Sequence, residues 1–205
     1  MHFPSKLIED AVVEISKLPG IGKKSALRLA LHLLKAHESQ TQRLTDSLLI
    51  MRSRIAYCKR CFNISDDEFC RICSSPKRDQ SIVCIVQDTR DVLAIENTAQ
   101  FSGVYHVLGG IISPLNGIGP NDLNIDALLK RIANSLATEQ PIQEIILALS
   151  PTMEGDTTAF YLQKKMKEFQ VKISTIARGI PIGGDLEYAD EITLGRSILS
   201  RIKYE

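Results

Sequence analysis

Ile82-Val83-Cys84-Ile85-Val86, five apolar residues closed by Gln87-Asp88, is too short for a helix and too uniformly apolar for a strand with one wet face. A strand covered on both faces reads this way, as in a parallel sheet clothed by helices. Three more short apolar runs follow, at 104–108, 144–149 and 171–177. Helical stretches at 89–99, 123–137 and 156–169 alternate with them, and a Gly/Pro-rich loop fills 109–120. This alternation predicts an α/β module with a parallel sheet. Cys84, inside the first run, is expected to be a buried small hydrophobe.

Upstream the pattern is helical. Over 5–17, Leu7, Ala11 and Ile15 share a face, with Ile8 and Val12 beside them and Pro4 suited to the start. Over 23–36, Ala26, Leu27, Leu29, Ala30, Leu31, Leu33 and Leu34 make most of the surface apolar, so this helix is expected to be well buried. Over 41–56 the stripe is Leu44, Leu48, Leu49 and Ile55. Downstream, 178–192 reads as a loop with Gly179, Pro181, Gly183 and Gly184, before a last helix near 193–203.

The 205 residues are 44% hydrophobic and 24% charged, a globular balance sufficient for one or two domains. No apolar run approaches the ~30 Å of a bilayer core, so no membrane span is expected. Residues 1–6 lack the apolar stretch of a secretory leader. The net charge of +1 hides a split. Residues 1–80 hold 14 Lys/Arg against 9 Asp/Glu, and residues 81–205 hold 11 against 15. A basic front and an acidic back suggest modules with different partners.

Four of the five cysteines cluster as Cys58-x2-Cys61, eight residues, Cys70-x2-Cys73. Two such knuckles form a closed tetrahedral site for structural zinc, with no open position for substrate. Two disulfides or a redox pair would need an oxidising compartment or a thioredoxin-like context, and the sequence shows neither. Lys59, Arg60 and Arg71 lie within the knuckles, where they either contact phosphate or offset the thiolate charge; the second is the default.

Leu18-Pro19-Gly20-Ile21-Gly22-Lys23-Lys24 resembles the helix-hairpin-helix DNA-binding motif. Gly20 and Gly22 permit a tight, positive-φ turn. The free N–H groups at the start of the next helix, with Lys23, Lys24 and Arg28, make an anion site for phosphate that reads no bases. The plainer alternative is an ordinary helical turn with a solvated lysine pair.

In the acidic half, Gln87 ends the first strand, and Glu154-Gly155-Asp156 follows the third. A strand-end acid with an acid-x-acid pair resembles the Toprim fold, whose active members use a strand-end Glu and an Asp-x-Asp pair to carry Mg²⁺ for phosphoryl transfer. Here the strand-end residue is an amide. Asp88, next to it, would point elsewhere, and only Tyr161 lies nearby as a nucleophile. A Toprim scaffold without catalysis is expected, with at most weak Mg²⁺ binding at Glu154 and Asp156. These acids could also simply suit a helix start.

The order of these modules, with Gln-Phe-Ser-Gly at 100–103, Ile-Ser-Pro-Leu-Asn-Gly-Ile-Gly-Pro at 112–120, Pro-Thr-Met-Glu-Gly-Asp at 151–156 and Arg-Gly-Ile-Pro-Ile-Gly-Gly-Asp-Leu-Glu at 178–187, resembles the RecR family of bacterial recombination mediators across essentially the whole chain. The resemblance implies an α/β multi-module fold. Its parts are a helix-hairpin-helix DNA-binding region at 1–56, a four-cysteine zinc finger at 57–74, a Toprim domain at 80–177 and a C-terminal tail with oligomer contacts at 178–205. It implies a cytoplasmic, nucleoid-associated, non-catalytic DNA-binding protein of RecFOR-type repair. With RecO or RecF, such a protein helps RecA load at single-strand gaps. It also implies a ring-like homo-oligomer, a tetramer, with Lys23, Lys24 and Arg28 on DNA and Glu154 and Asp156 receiving RecO. The 186–191 stretch matches a Walker-B-like segment, but no Gly-x4-Gly-Lys-Ser/Thr loop accompanies it. Rival readings are an Mg²⁺-dependent nuclease or primase-like enzyme, and an adaptor that touches only protein.

Overall fold

The structure, a computed structural model, describes residues 5–180, 182–201 and 203. Pro4 and Pro181 lie outside the described residues. The chain forms two compact units, one up to Ile55 and one from Ala56 onward.

The first unit holds α1 (Lys6–Ser16), α2 (Lys23–Lys35) and α3 (Glu38–Arg54). Pro19 cannot extend a helix, and Gly20 turns the chain with φ +77°. Gly22 differs from expectation. It is extended, with φ −80°, and serves as the N-cap residue of α2. α2 differs as well. Ala26 is its only buried residue, and Leu29, Leu31 and Leu34 are exposed. On α3 nothing is buried, so the stripe of Leu44, Leu48 and Leu49 faces outward. Periodicity identifies an apolar face, but a three-helix unit of this size cannot cover every such face from within.

The second unit opens with a two-stranded antiparallel ribbon, β1 (Ala56–Tyr57) and β2 (Ile64–Ser65), and the short α4 (Arg71–Ser74). Then come β3 (Asp79–Val86), α5 (Thr89–Glu96), β4 (Gly103–Val107), α6 (Ile125–Ser135), β5 (Glu144–Ala148), α7 (Met153–Met166), β6 (Lys172–Thr175) and α8 (Glu191–Leu199). The last four strands form one parallel sheet in the order β4-β3-β5-β6, as the alternation predicts.

Both faces of this sheet are covered. Val83, Ile85, Val104, Ile145 and Leu147 meet Leu128 and Ile132 of α6 and Leu162 and Met166 of α7. Cys84, Val86, Tyr105 and Val107 point the other way, toward Val92 and Ile95 of α5. That double burial is why β3 is a continuous apolar run. Cys84 is buried as expected, and burial pushes its thiol up to about 12.

The order of connection reverses across the sheet between β3 and β5. In parallel sheets the crevice at the carboxyl ends of such a strand pair is where sites form. α7 begins earlier than the sequence suggests. Thr152 caps it, its Oγ1 accepting from the Gly155 N–H at 3.1 Å, which brings Glu154 and Asp156 into the first turn.

Candidate nucleic-acid interface and metal centre

The four cysteine sulfurs lie within 4.8 Å of one another and all four residues are buried. Sulfurs ~2.3 Å from one ion in a tetrahedron stand ~3.8 Å apart, so this donor set fits zinc and leaves no fifth place. The loop is held by backbone bonds, Cys58 N–H to the Asn63 carbonyl at 2.8 Å and Phe62 N–H to the Cys58 carbonyl at 2.9 Å. All four are free thiols. Hydrogen bonds from Cys61 and Cys73 hold the Cys70 thiol below its ordinary range, while hydrogen bonds to its neighbours and burial push the Cys61 thiol above it. One structural zinc belongs here.

The zinc loop is built onto the sheet. Val107 donates its N–H to the Cys61 carbonyl at 2.8 Å, closing the β4 edge. Arg131 of α6 donates Nη1 to the Tyr105 carbonyl at 2.7 Å. Phe62 sets its ring edge-on to His106, 5.5 Å between centroids. Of the three basic residues in the knuckles, Lys59 pairs with Glu68 at 3.1 Å, and Arg60 donates to the Cys73 carbonyl at 3.3 Å while lying over the Phe69 ring. These contacts hold Arg60 against the zinc loop.

In the first unit, Gly20, Gly22, Lys23, Lys24 and Arg28 come together at the start of α2. No side chain caps that end, and its first turn holds no acid. Lys23, Lys24 and Arg28 are exposed, and none is in an ion pair among the described residues. Two lysines beside the positive end of a helix dipole are unfavourable on their own. The uncapped N–H groups add to that cost, and one bound anion relieves both.

In the sheet crevice, Ser150 donates Oγ to Gln87 Oε1 at 3.3 Å, so the two strand tips do meet. The acids are less available than their spacing suggests. Arg178 forks onto Asp156, Nη1 at 3.2 Å and Nη2 at 2.5 Å. The guanidinium holds the Asp156 carboxyl below its usual range. Asp88 caps α5 in a reciprocal box with Asp91 and pairs with Arg90. Tyr161 is half-buried against the core, with the Lys165 ammonium over its ring. Glu154 alone keeps an unpaired carboxylate among the described residues of the crevice. Sequence reasoning missed Arg178, since a lone arginine in a loop carries no local signal of the acid it reaches. In the 186–191 stretch, Asp190 is the N-cap of α8, accepting from the Thr193 N–H at 2.8 Å.

Comparison with known proteins matches these modules in the same order. The family model for the RecR helix-hairpin-helix matches residues 8–51, the RecR four-cysteine zinc finger domain 55–75, the Toprim domain 81–177 and the RecR C-terminal region 179–202. The "Recombination protein RecR" of Cytophaga hutchinsonii is 63% identical over 205 residues, covering 100% of this chain and 98% of that protein. Its counterpart from Amoebophilus asiaticus is 59% identical over 204 residues, covering 100% of both. That of Flavobacterium johnsoniae is 56% identical over 205 residues, with 100% and 97% covered. With all four modules matched in order and identity this high over the full length, the chain belongs to the RecR family of recombination proteins.

Proposed function

We propose that this chain is a non-catalytic, sequence-independent DNA-binding mediator of recombinational repair. It works as a ring-like homo-oligomer, a tetramer, and with RecO or RecF assists RecA loading at single-strand gaps in the cytoplasm. The modules divide the work: residues 1–56 hold DNA, 57–74 hold zinc, 80–177 receive partner proteins and 178–205 join copies. The observation that carries the DNA reading is the start of α2, uncapped and flanked by Lys23 and Lys24. Such an end favours phosphate and ignores bases, so affinity is uniform across sequences and falls steeply with salt. Apolar side chains standing exposed on α3 and on the tail, such as Leu48, Leu49, Tyr188 and Leu199, support copy-to-copy packing.

The crevice speaks against catalysis. The Gln87 amide cannot act as a general acid or base, and the Asp156 carboxylate already takes a guanidinium where a cation-carrying Toprim needs it free. The site residue left for a basic partner is Glu154, with Asp156 positioned by Arg178. Replacing Lys23 and Lys24 by Ala should weaken duplex binding for every sequence and reduce the salt slope by up to ~2. Unchanged affinity and slope would move the phosphates elsewhere. Mg²⁺-dependent cleavage by wild type that disappears in Glu154→Ala would replace the mediator reading by the nuclease one.

A further inference from the structure

A cleft of about 870 Å³ in the second unit lies between the zinc knuckle and α6. Its walls bring together Arg60 and Phe69 from the zinc loop, Gln80 from β3, and Lys130, Arg131 and Asn134 from α6. Arg60, Lys130 and Arg131 are cations without a carboxylate partner among the described residues. Arg60 and Arg131 use carbonyl and amide oxygens instead, those of Cys73, Gln80 and Tyr105. Glu139 is the sole carboxylate lining the cleft among the described residues.

The zinc thiolates offset part of this charge. Burial holds the Arg131 guanidinium below its ordinary range and the neighbouring Arg60 adds to this, against the pull of the cysteine sulfurs. Two guanidinium groups that repel each other across a cleft are a place for an anion. Lys130 is exposed and has no carboxylate partner among the described residues. Beside these charges stands an aromatic platform. Phe69 is 39% exposed, with the Arg60 guanidinium 5.2 Å above its ring. Gln80 and Asn134 add amides that can both donate and accept. Cations for phosphate, a stacked Arg–Phe pair for a base and amides for its edge are the parts of a site for unpaired nucleotides.

We propose that this cleft binds a nucleotide, as part of an unpaired DNA strand, separately from the duplex-holding turn before α2. The setting rests on the reading of the chain as a DNA protein. The cleft's volume, near the top of the ~300–1,000 Å³ of small-ligand sites, exceeds what one nucleotide needs and suits a strand passing through. A chain with both sites meets the two kinds of DNA that adjoin at a gap.

The test uses the full, zinc-loaded chain. Its probes are a fluorescent oligodeoxythymidylate of ~16 nucleotides, a blunt duplex, and ATP alone. Lys130→Glu should weaken oligonucleotide binding about tenfold at low salt and lower its salt slope by ~0.7, the value of one lost phosphate contact on a single strand. Phe69→Ala should cost about tenfold through the lost stack, with the salt slope unchanged. Lys130→Arg should bind as wild type. Duplex affinity should stay constant in all three, whereas it falls in the Lys23, Lys24 double variant, so failure of the turn and failure of the cleft appear in different arms. ATP binding that is lost in Lys130→Glu would assign the cleft to free nucleotides, within the same chemistry. Wild-type oligonucleotide affinity in both Lys130→Glu and Phe69→Ala would overturn the proposal, as would an equal loss on duplex. Lys130 is exposed, so Lys130→Glu leaves the fold and the zinc content, measured in the same sample, intact.

Discussion

Single residues here carry consequences that their neighbours in sequence do not announce. His106 is fully buried in β4, one ring nitrogen bonded to the Asn124 carbonyl at 2.8 Å, and burial takes its pKa down to about 4. The unfolded chain takes up a proton near pH 6.5, where the folded chain does not. Stability contributed by neutral His106 is therefore complete above pH 6.5 and is lost as pH falls toward about 4, at up to ~1.4 kcal/mol per unit. His106→Gln, which keeps a donor for Asn124, should flatten that part of a denaturant-derived stability profile. Gly155 is a second such residue. A Cβ there would stand 1.9 Å from the Ser150 carbonyl oxygen, so the first turn of α7 can rest on the strand-end loop only with glycine. Gly155→Ala should cost about 2–3 kcal/mol in urea unfolding and move Glu154 and Asp156 away from Gln87.

At the scale of elements, the zinc loop closes the β4 edge of the sheet. An open strand edge is a template for aggregation, and here Cys61 supplies the backbone partner. Cys58→Ser should lose the metal, lower the melting temperature by about 10 °C or more, and promote aggregation, because metal binding at such sites is also folding energy. Elemental analysis with a thermal melt checks both. The Arg178–Asp156 fork ties the segment after β6 to the start of α7. Asp156 titrates below its unfolded value, so this tie is complete above the ordinary aspartate pKa and is lost only as pH falls through the lower folded one. The pair is partly exposed and contributes little to global stability. Arg178→Ala should accordingly leave the melt nearly unchanged, while limited proteolysis within residues 178–190 speeds up several-fold.

For the whole molecule, each unit leaves apolar surface bare. Leu44, Leu48 and Leu49 on α3, and Ile182, Leu186, Tyr188 and Leu199 in the tail, are each more than 40% exposed. Surface of that kind marks a place where another molecule packs, and the proposed oligomer would put a second copy there. Leu48→Glu with Leu49→Glu should reduce the solution mass measured by light scattering, and alanine at the same positions should reduce it less. A mass already equal to that of one chain in the wild type would remove oligomer formation from the proposed function.

The sequence alone determined the parts that depend on local chemistry. Doubly covered strands read as apolar runs, a Pro-Gly turn cannot be helical, and two Cys-x2-Cys knuckles suit one ion whatever surrounds them. It placed all four strands of the sheet and the cysteines of the zinc site. Tertiary structure decided what depends on contact between distant residues. Arg178 meets Asp156 across 22 positions, and Arg60 and Lys130 share a cleft across a larger separation. The same holds for burial. Periodicity named the apolar faces of α2 and α3, but whether they are covered depends on what packs there, and among the described residues α2 buries only Ala26 and α3 buries nothing. Even the free acid at the crevice was a tertiary outcome, since Glu154 and Asp156 differ only in which of them an arginine reaches.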